Sequence, residues 1–251
     1  MKKIFLIVLA LFLSAPLAAF AADITVAAAA NVQFTLEDLK AEFTKETGVE
    51  VKSVIGSSGK LTSQVENGAP FDVFLSADMK YPKKIYQDSF SAQAPKVYAY
   101  GVLVLWTTKD LDLSKGIAVL SDAGVQKIAI ADPKVAPYGR EAVNALKFYQ
   151  LYDSLQKELV LGESISQANQ FIATGAADIG FTAKSVVLAP NMQSKGKWME
   201  IDPKSYKPIA QGVVVLKYGD QNHSKEAHEF YDFLFSPAAQ EIFKKYGYNL
   251  P

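Results

Sequence analysis

Short apolar runs rich in β-branched residues alternate along the chain with segments whose apolar positions repeat at helical spacing. The runs at 24–28, 49–55, 73–76, 97–106, 127–131, 179–181 and 212–217 read as strands. Between them, Val32, Leu36, Leu39 and Phe43 recur at i, i+4, i+7 and i+11, which places them on one buried helix face. Shorter faces of the same kind occur at 61–65, 143–149, 165–172 and 227–235. This alternation predicts an α/β chain with mostly parallel sheets. No internal repeat and no low-complexity stretch is visible in the sequence.

The run 97–106 is long for one strand and contains Gly101, where the backbone can bend and pass from one lobe to another. A second apolar run begins at Ile209, just after Pro208, and supplies a return crossing. Two crossings divide the chain into a first lobe of 22–100 plus 209–251 and a second lobe of 101–208.

The amino terminus follows a different pattern. Lys2 and Lys3 precede an uncharged apolar stretch at 4–13, then Pro16, then the small-residue triplet Ala19-Phe20-Ala21. That is the layout of a secretory signal peptide over 1–21, with the mature chain starting near Ala22. The apolar stretch is too short to span a bilayer. The chain has no cysteine, hence neither a lipid-bearing anchor residue nor a disulfide. The expected product is a soluble monomer, released into the periplasm of a cell with two membranes.

Charge excludes one class of partner. Lysine plus arginine and aspartate plus glutamate both number 26, and a balanced chain lacks the concentrated basic surface that a phosphate backbone requires. Arg140 is the only arginine, so a guanidinium clamp on an anion has one candidate position.

Four strand-to-helix junctions share one composition: Ala29-Ala30-Asn31, Gly56-Ser57-Ser58-Gly59, Ala136-Pro137-Tyr138-Gly139 and Glu163-Ser164-Ile165. At such a junction the first backbone N–H groups of the helix have no internal acceptor, and with the helix dipole they favour an anion without any basic side chain. Asn and Ser before a helix are also ordinary caps that bond their own backbone. Residue types and spacing alone therefore reach an α/β protein with anion-compatible loops.

Longer strings extend the reading. The opening 24–31 (ITVAAAAN), 55–59 (IGSSG), 68–78 (GAPFDVFLSAD), 130–133 (IADP), 137–139 (PYG), 177–181 (ADIGF) and 241–248 (EIFKKYGY) resemble the molybdate-binding proteins of bacterial ABC transporters, from one end of the mature chain to the other. The resemblance implies a type 2 periplasmic-binding-protein fold: two α/β lobes, each a mixed, mostly parallel sheet flanked by helices, joined by two hinge crossings. It further implies a dehydrated cleft that holds an oxyanion through neutral donors and hands it to a permease with its ATPase. Carried over by position, the ligand contacts fall on Asn31, Ser58, Tyr138 and the backbone N–H of Ile165, with Ser57, Ala30 and Ala183 as further candidates. Some relatives carry a tyrosine where this chain has Ala183, and Tyr138 is the residue that could supply its hydroxyl from the opposite wall. No cofactor is implied, and molybdenum enters only as an oxyanion without a direct protein–metal bond.

Molybdate and tungstate are fully deprotonated near neutral pH, so groups facing them must donate. No carboxylate lies in the Asn31, Ser57-Ser58 or 137–139 stretches. Hydrogen bonds to a charged group contribute roughly 1.5–3 kcal/mol each, so half a dozen exceed the roughly 8 kcal/mol of micromolar binding even after association costs. Another tetrahedral oxyanion, such as sulfate or chromate, would suit the same loops.

Competing chemistry is weaker. Ser57 and Lys60 have the Ser-x-x-Lys spacing of a serine acyl hydrolase, but the Lys-Thr-Gly string that accompanies it is missing. Val54 stands where a phosphate-binding P-loop needs its first glycine. His223 and His228, five residues apart, do not share a helix face and read as solvated rather than metal-ligating. Arg140 reads as a solvent-facing helix residue, the lysines at 80, 83 and 84 as one solvated face, and Trp106 and Trp198 as core.

Overall fold

The computed structural model describes residues 23–251, so the expected signal peptide at 1–21 lies outside the described residues. Along the described chain run β1 (Ile24–Ala29), α1 (Gln33–Thr47), β2 (Val51–Gly56), α2 (Ser58–Glu66), β3 (Val73–Ser76), α3 (Lys80–Gln87), β4 (Lys96–Gly101) and β5 (Leu103–Thr107). Then come β6 (Ile128–Ala131), α4 (Pro137–Phe148), α5 (Tyr152–Leu155), β7 (Leu159–Gly162), α6 (Ile165–Ala173), β8 (Ile179–Ala183), α7 (Lys184–Val187) and β9 (Lys197–Glu200). β10 (Ile209–Val215), α8 (Lys217–Asn222), α9 (Ser224–Phe233) and α10 (Pro237–Lys245) complete the fold. Among these residues no helix is long and apolar enough to cross a membrane.

The strands form two five-stranded sheets, ordered β2-β1-β3-β10-β4 and β7-β6-β8-β5-β9. In the first, β1 lies parallel to β2 and β3, while β10 runs antiparallel between β3 and β4. In the second, β6 lies parallel to β7 and β8, and β5 runs antiparallel between β8 and β9. The two sheets thus have the same topology: three parallel strands, then one antiparallel strand that has just crossed from the other lobe. The chain is an α/β protein of two lobes. The apolar run 97–106 is two strands in different sheets, separated at Val102, and β10 makes the return.

Both faces of each sheet are covered, which is why the strands read as continuous rather than alternating apolar runs. Val26 and Ala28 pack with Leu36, Leu39, Phe43 and Phe230 on one face of the first sheet, whereas Ala27 joins Leu61, Phe74 and Ile85 on the other. Leu103 and Leu105 pack beneath α4 with Ala142 and Leu146, and Val104 and Trp106 face Ala168 and Ile172 of α6. At the centre of the first lobe Phe43 meets Phe230 edge to face at 5.1 Å, a geometry favoured by the ring quadrupoles. α1 ends at Gly48, whose φ of 77° is the left-handed cap that glycine adopts without cost.

Several sequence expectations are revised. β7 and β9 have no counterpart among the expected strands; both are four-residue edge strands without a fully covered face, and Leu161 is exposed. Trp106 is core, its indole N–H donating to the Lys195 carbonyl at 2.6 Å, but Trp198 lies on edge strand β9 with its ring partly in solvent.

Candidate functional site

Because the two sheets share a topology, the loops after β1 and β2 in one lobe correspond to those after β6 and β7 in the other. All four end in helix amino termini: a 3-10 turn at Ala30–Val32 that leads into α1, then α2 entered from Ser57, α4 entered from Ala136, and α6, whose first turn is capped by the Ser164 side chain. The lobes face each other across these loops, and one cavity collects Ala30, Asn31, Ser57, Ser58, Tyr138 and Ile165. Ala29, Ala77, Ala136 and Pro137 complete its wall with small apolar surface. Its empty volume is about 200 Å³, against 530 to 830 Å³ for four clefts elsewhere on the described surface. It is the smallest of the five, on the scale of a small ion rather than an extended organic molecule.

The wall is a set of donors. Ser58 is fully buried, and its Oγ accepts the backbone N–H of Ala77 at 3.0 Å, which leaves the hydroxyl proton free. The backbone N–H groups of Asn31, Ser58, Tyr138 and Ile165 occupy the first two positions of their helices, where no carbonyl precedes them in register. The buried Ser57 Oγ has no partner at all. No lysine, arginine, aspartate or glutamate lines the cavity. Stabilisation of a negative charge would come from oriented dipoles in a water-poor setting.

Behind the wall lies a polar network that sequence reading does not anticipate. Gln211 of β10 is fully buried; its Oε1 accepts from Asn31 Nδ2 at 2.9 Å and from Tyr98 Oη at 2.7 Å, and its Nε2 donates to Tyr138 Oη at 3.3 Å. Asn31 Nδ2 also donates to Tyr248 Oη at 3.2 Å, while the buried Asn31 Oδ1 is unpartnered. Burial, then the neighbouring phenols, hold the Tyr138 hydroxyl well above the ordinary tyrosine value, so it stays protonated and able to donate. Gly101 makes the network possible, since a methyl there would overlap the Tyr138 hydroxyl and the Gln211 amide. Of the remaining candidates, Ala183 ends β8 with its methyl in the second lobe's core and does not line the cavity.

Contacts between lobes close the cavity. Ser185 Oγ donates to the Asn31 carbonyl at 2.7 Å, Ser166 Oγ to Gln33 Oε1 at 2.6 Å, and the Gly59 N–H to the Val135 carbonyl at 2.9 Å. Lys60 pairs with Glu163 and Arg140 with Asp78, each across the cleft. Arg140 is therefore not solvent-facing: it is partly buried over the Tyr81 ring and grips the opposite lobe. Burial raises Asp78 above its usual value, and Arg140 only partly offsets this. Lys60 is engaged by Glu163 rather than by Ser57, so the serine–lysine pair expected of an acyl hydrolase is not formed. His223 is not simply solvated; its Nδ1 meets the buried Asp72 Oδ1 at 2.8 Å, remote from the cavity lining.

Comparison with known proteins bears on the same features. The profile of the bacterial extracellular solute-binding protein family matches residues 24–249. A molybdate-binding protein of Rhodobacter capsulatus is 40% identical over 241 residues, which cover 96% of this chain and 93% of the relative. One of Azotobacter vinelandii is 39% identical over 234 residues, covering 93% and 92%. The solved structure of the Azotobacter vinelandii periplasmic molybdate-binding protein aligns with a TM-score of 0.85 at 36% identity, covering 91% of this chain and 99% of that one. With a profile match that runs from the first strand to the carboxyl tail, the chain belongs to the family of bacterial extracellular solute-binding proteins.

Proposed function

We propose that this protein binds molybdate, and tungstate equally, outside the cytoplasm and delivers it to an ABC permease. Residues 1–21 direct export, the mature monomer works in the periplasm, and it catalyses no reaction. The lobes divide at Val102, one residue beyond the 100/101 boundary expected from sequence, and again at 208/209, and they close on the ion as rigid bodies. One observation carries the reading: helix amino termini from both lobes, with the free proton of Ser58, meet at one small cavity whose lining has no charged side chain. The two relatives at about 40% identity, both named for molybdate, support it.

A wall of backbone and hydroxyl donors with no carboxylate favours a fully deprotonated ion over hydrogen phosphate, whose remaining proton needs a strong acceptor. Molybdate and tungstate match in charge and nearly in size, so the site does not separate them. Titration with molybdate, tungstate, sulfate and phosphate, followed by calorimetry and intrinsic fluorescence, tests the proposal. Sub-micromolar molybdate and tungstate binding with phosphate excluded is the expected result. Sulfate or chromate bound as tightly as molybdate would turn the assignment toward a general oxyanion carrier.

A further inference from the structure

The Gln211 side chain has a property that the cavity lining alone does not reveal. Both acceptor positions of its Oε1 are used, by Asn31 and Tyr98, and its Nε2 donates to Tyr138. Asn31 sits in the first lobe and Tyr138 in the second, so one amide spans the two walls of the cavity. In the arrangement seen, both N–H bonds of Asn31 are taken, by Gln211 and Tyr248, and Asn31 presents an unpartnered oxygen. A bare amide oxygen repels an oxyanion.

Turning both amides by half a rotation preserves their mutual hydrogen bond with the polarity reversed. Gln211 then donates to Asn31 Oδ1 and Tyr98 Oη, and accepts the Tyr138 proton. The Asn31 NH₂ takes the place of the unpartnered oxygen. Gln211 orientation therefore decides whether the free position of the Asn31 amide, at a residue that lines the cavity, is an acceptor or a donor.

We propose that Gln211 is a positioning residue for anion capture: it holds the Asn31 amide and Tyr138 hydroxyl in register across the hinge and, by reversing, turns Asn31 into a donor toward the ion. The inference rests on the oxyanion-binding reading. It assigns specificity to a residue that does not line the cavity, placed on the strand that returns between the lobes at a break in its ladder with β4.

The test is Gln211→Glu, assayed by molybdate calorimetry in the full exported chain from pH 6 to 9. An ionised glutamate can only accept, so it locks the Asn31 oxygen in place and adds a negative charge. A protonated one can donate to Asn31 and accept from Tyr138, as the reversed glutamine does. Its surroundings are Asn31 from the first loop, Tyr98 from β4, Tyr138 from α4 and Tyr248 from the carboxyl tail, all uncharged, and none of them hydrogen-bonds a carboxylate, lysine or arginine.

At pH 9 the variant should bind at least about 100-fold more weakly than wild type, which corresponds to one or two charged hydrogen bonds. The gap should narrow at least tenfold as the buried acid takes up its proton, which for such groups occurs as high as about pH 8–9. A purely structural role would not give affinity that returns with protonation at constant unfolding temperature. Wild-type affinity at every pH overturns the proposal, as does weakened binding that does not vary with pH. If the glutamate variant does not fold, Gln211→Met decides: a loss of about tenfold or more at unchanged unfolding temperature supports the role, and unchanged affinity refutes it. A wild-type chain that binds none of the oxyanions instead brings down the underlying reading.

Discussion

The Ser58 hydroxyl accepts the backbone N–H of Ala77 at 3.0 Å, a bond between the loop after β2 and the end of β3. It fixes the direction of the one proton that Ser58 can give. Ser58→Ala should weaken molybdate binding by about 10- to 100-fold, the value of one hydrogen bond to a charge. It should also lower stability by about 1–3 kcal/mol, because the Ala77 N–H is left buried without an acceptor. Calorimetric titration and urea unfolding of the same variant measure the two effects.

Ser57 differs. Its buried hydroxyl caps nothing and bonds nothing, so the ligand-free fold gains little from it. Ser57→Ala should leave the ligand-free unfolding midpoint unchanged or slightly raised while reducing molybdate affinity by about tenfold. Reduced stability with unchanged affinity would show the hydroxyl to be structural.

The Arg140–Asp78 pair joins the lobes. Removing the guanidinium leaves a carboxylate that burial already disfavours. Arg140→Met should therefore be more harmful than Asp78→Asn. Small-angle scattering should show a larger ligand-free radius of gyration, and molybdate affinity should fall by about 2- to 10-fold, consistent with a partly exposed pair. Equal scattering profiles for variant and wild type would remove the pair from closure.

Asp178 links β6 to β8 by accepting the N–H groups of Gln126 and Lys127, both at 2.8 Å, and by pairing with Lys109. Burial acts to raise its pKa, but Lys109 and the two N–H groups outweigh it and hold the carboxyl below the usual value. The native state thus binds this proton less readily than the unfolded chain. The stabilisation is full above the ordinary carboxylate pKa of about 3.9 and is lost as pH falls through the depressed native value. Asp178→Asn should cost about 1–3 kcal/mol at pH 7, and the difference from wild type should shrink toward pH 3 in urea titrations.

Gly101 leaves the space that the Tyr138 hydroxyl and Gln211 amide occupy. Gly101→Ala should destabilise by about 1–3 kcal/mol, as overpacking does, and should weaken molybdate binding as well, since both groups serve the cavity. Thermal unfolding paired with calorimetry tests both.

The parts of this arrangement differ in how far the sequence discloses them. Strands buried on both faces, such as β1, β3 and β6, stand out because nearly all their positions are apolar and no charged residue interrupts them. β7 and β9 escape because edge strands face solvent on one side and carry residues such as Lys197, Glu200 and the exposed Leu161. The four loops are visible as small-residue junctions before helices, and the structure brings Asn31, Ser58, Tyr138 and Ile165 to one cavity. Gln211 carries no local signal: a lone glutamine in an apolar strand acquires meaning only from Asn31, 180 residues away. The same holds for Arg140 with Asp78 and His223 with Asp72, pairings made by tertiary proximity. The shared topology of the two sheets is likewise invisible as a sequence repeat, because strand order is set by chain path and not by residue identity.

That shared topology has a consequence for the order of assembly. All five strands of the second sheet come from the continuous stretch 103–200, but the first sheet waits for β10, more than a hundred residues beyond β4. The half of the molecule made first is therefore the half finished last. Until residues 209–215 arrive, β3 and β4 have no strand between them, and the apolar edges they expose are the ones most in need of protection from other chains.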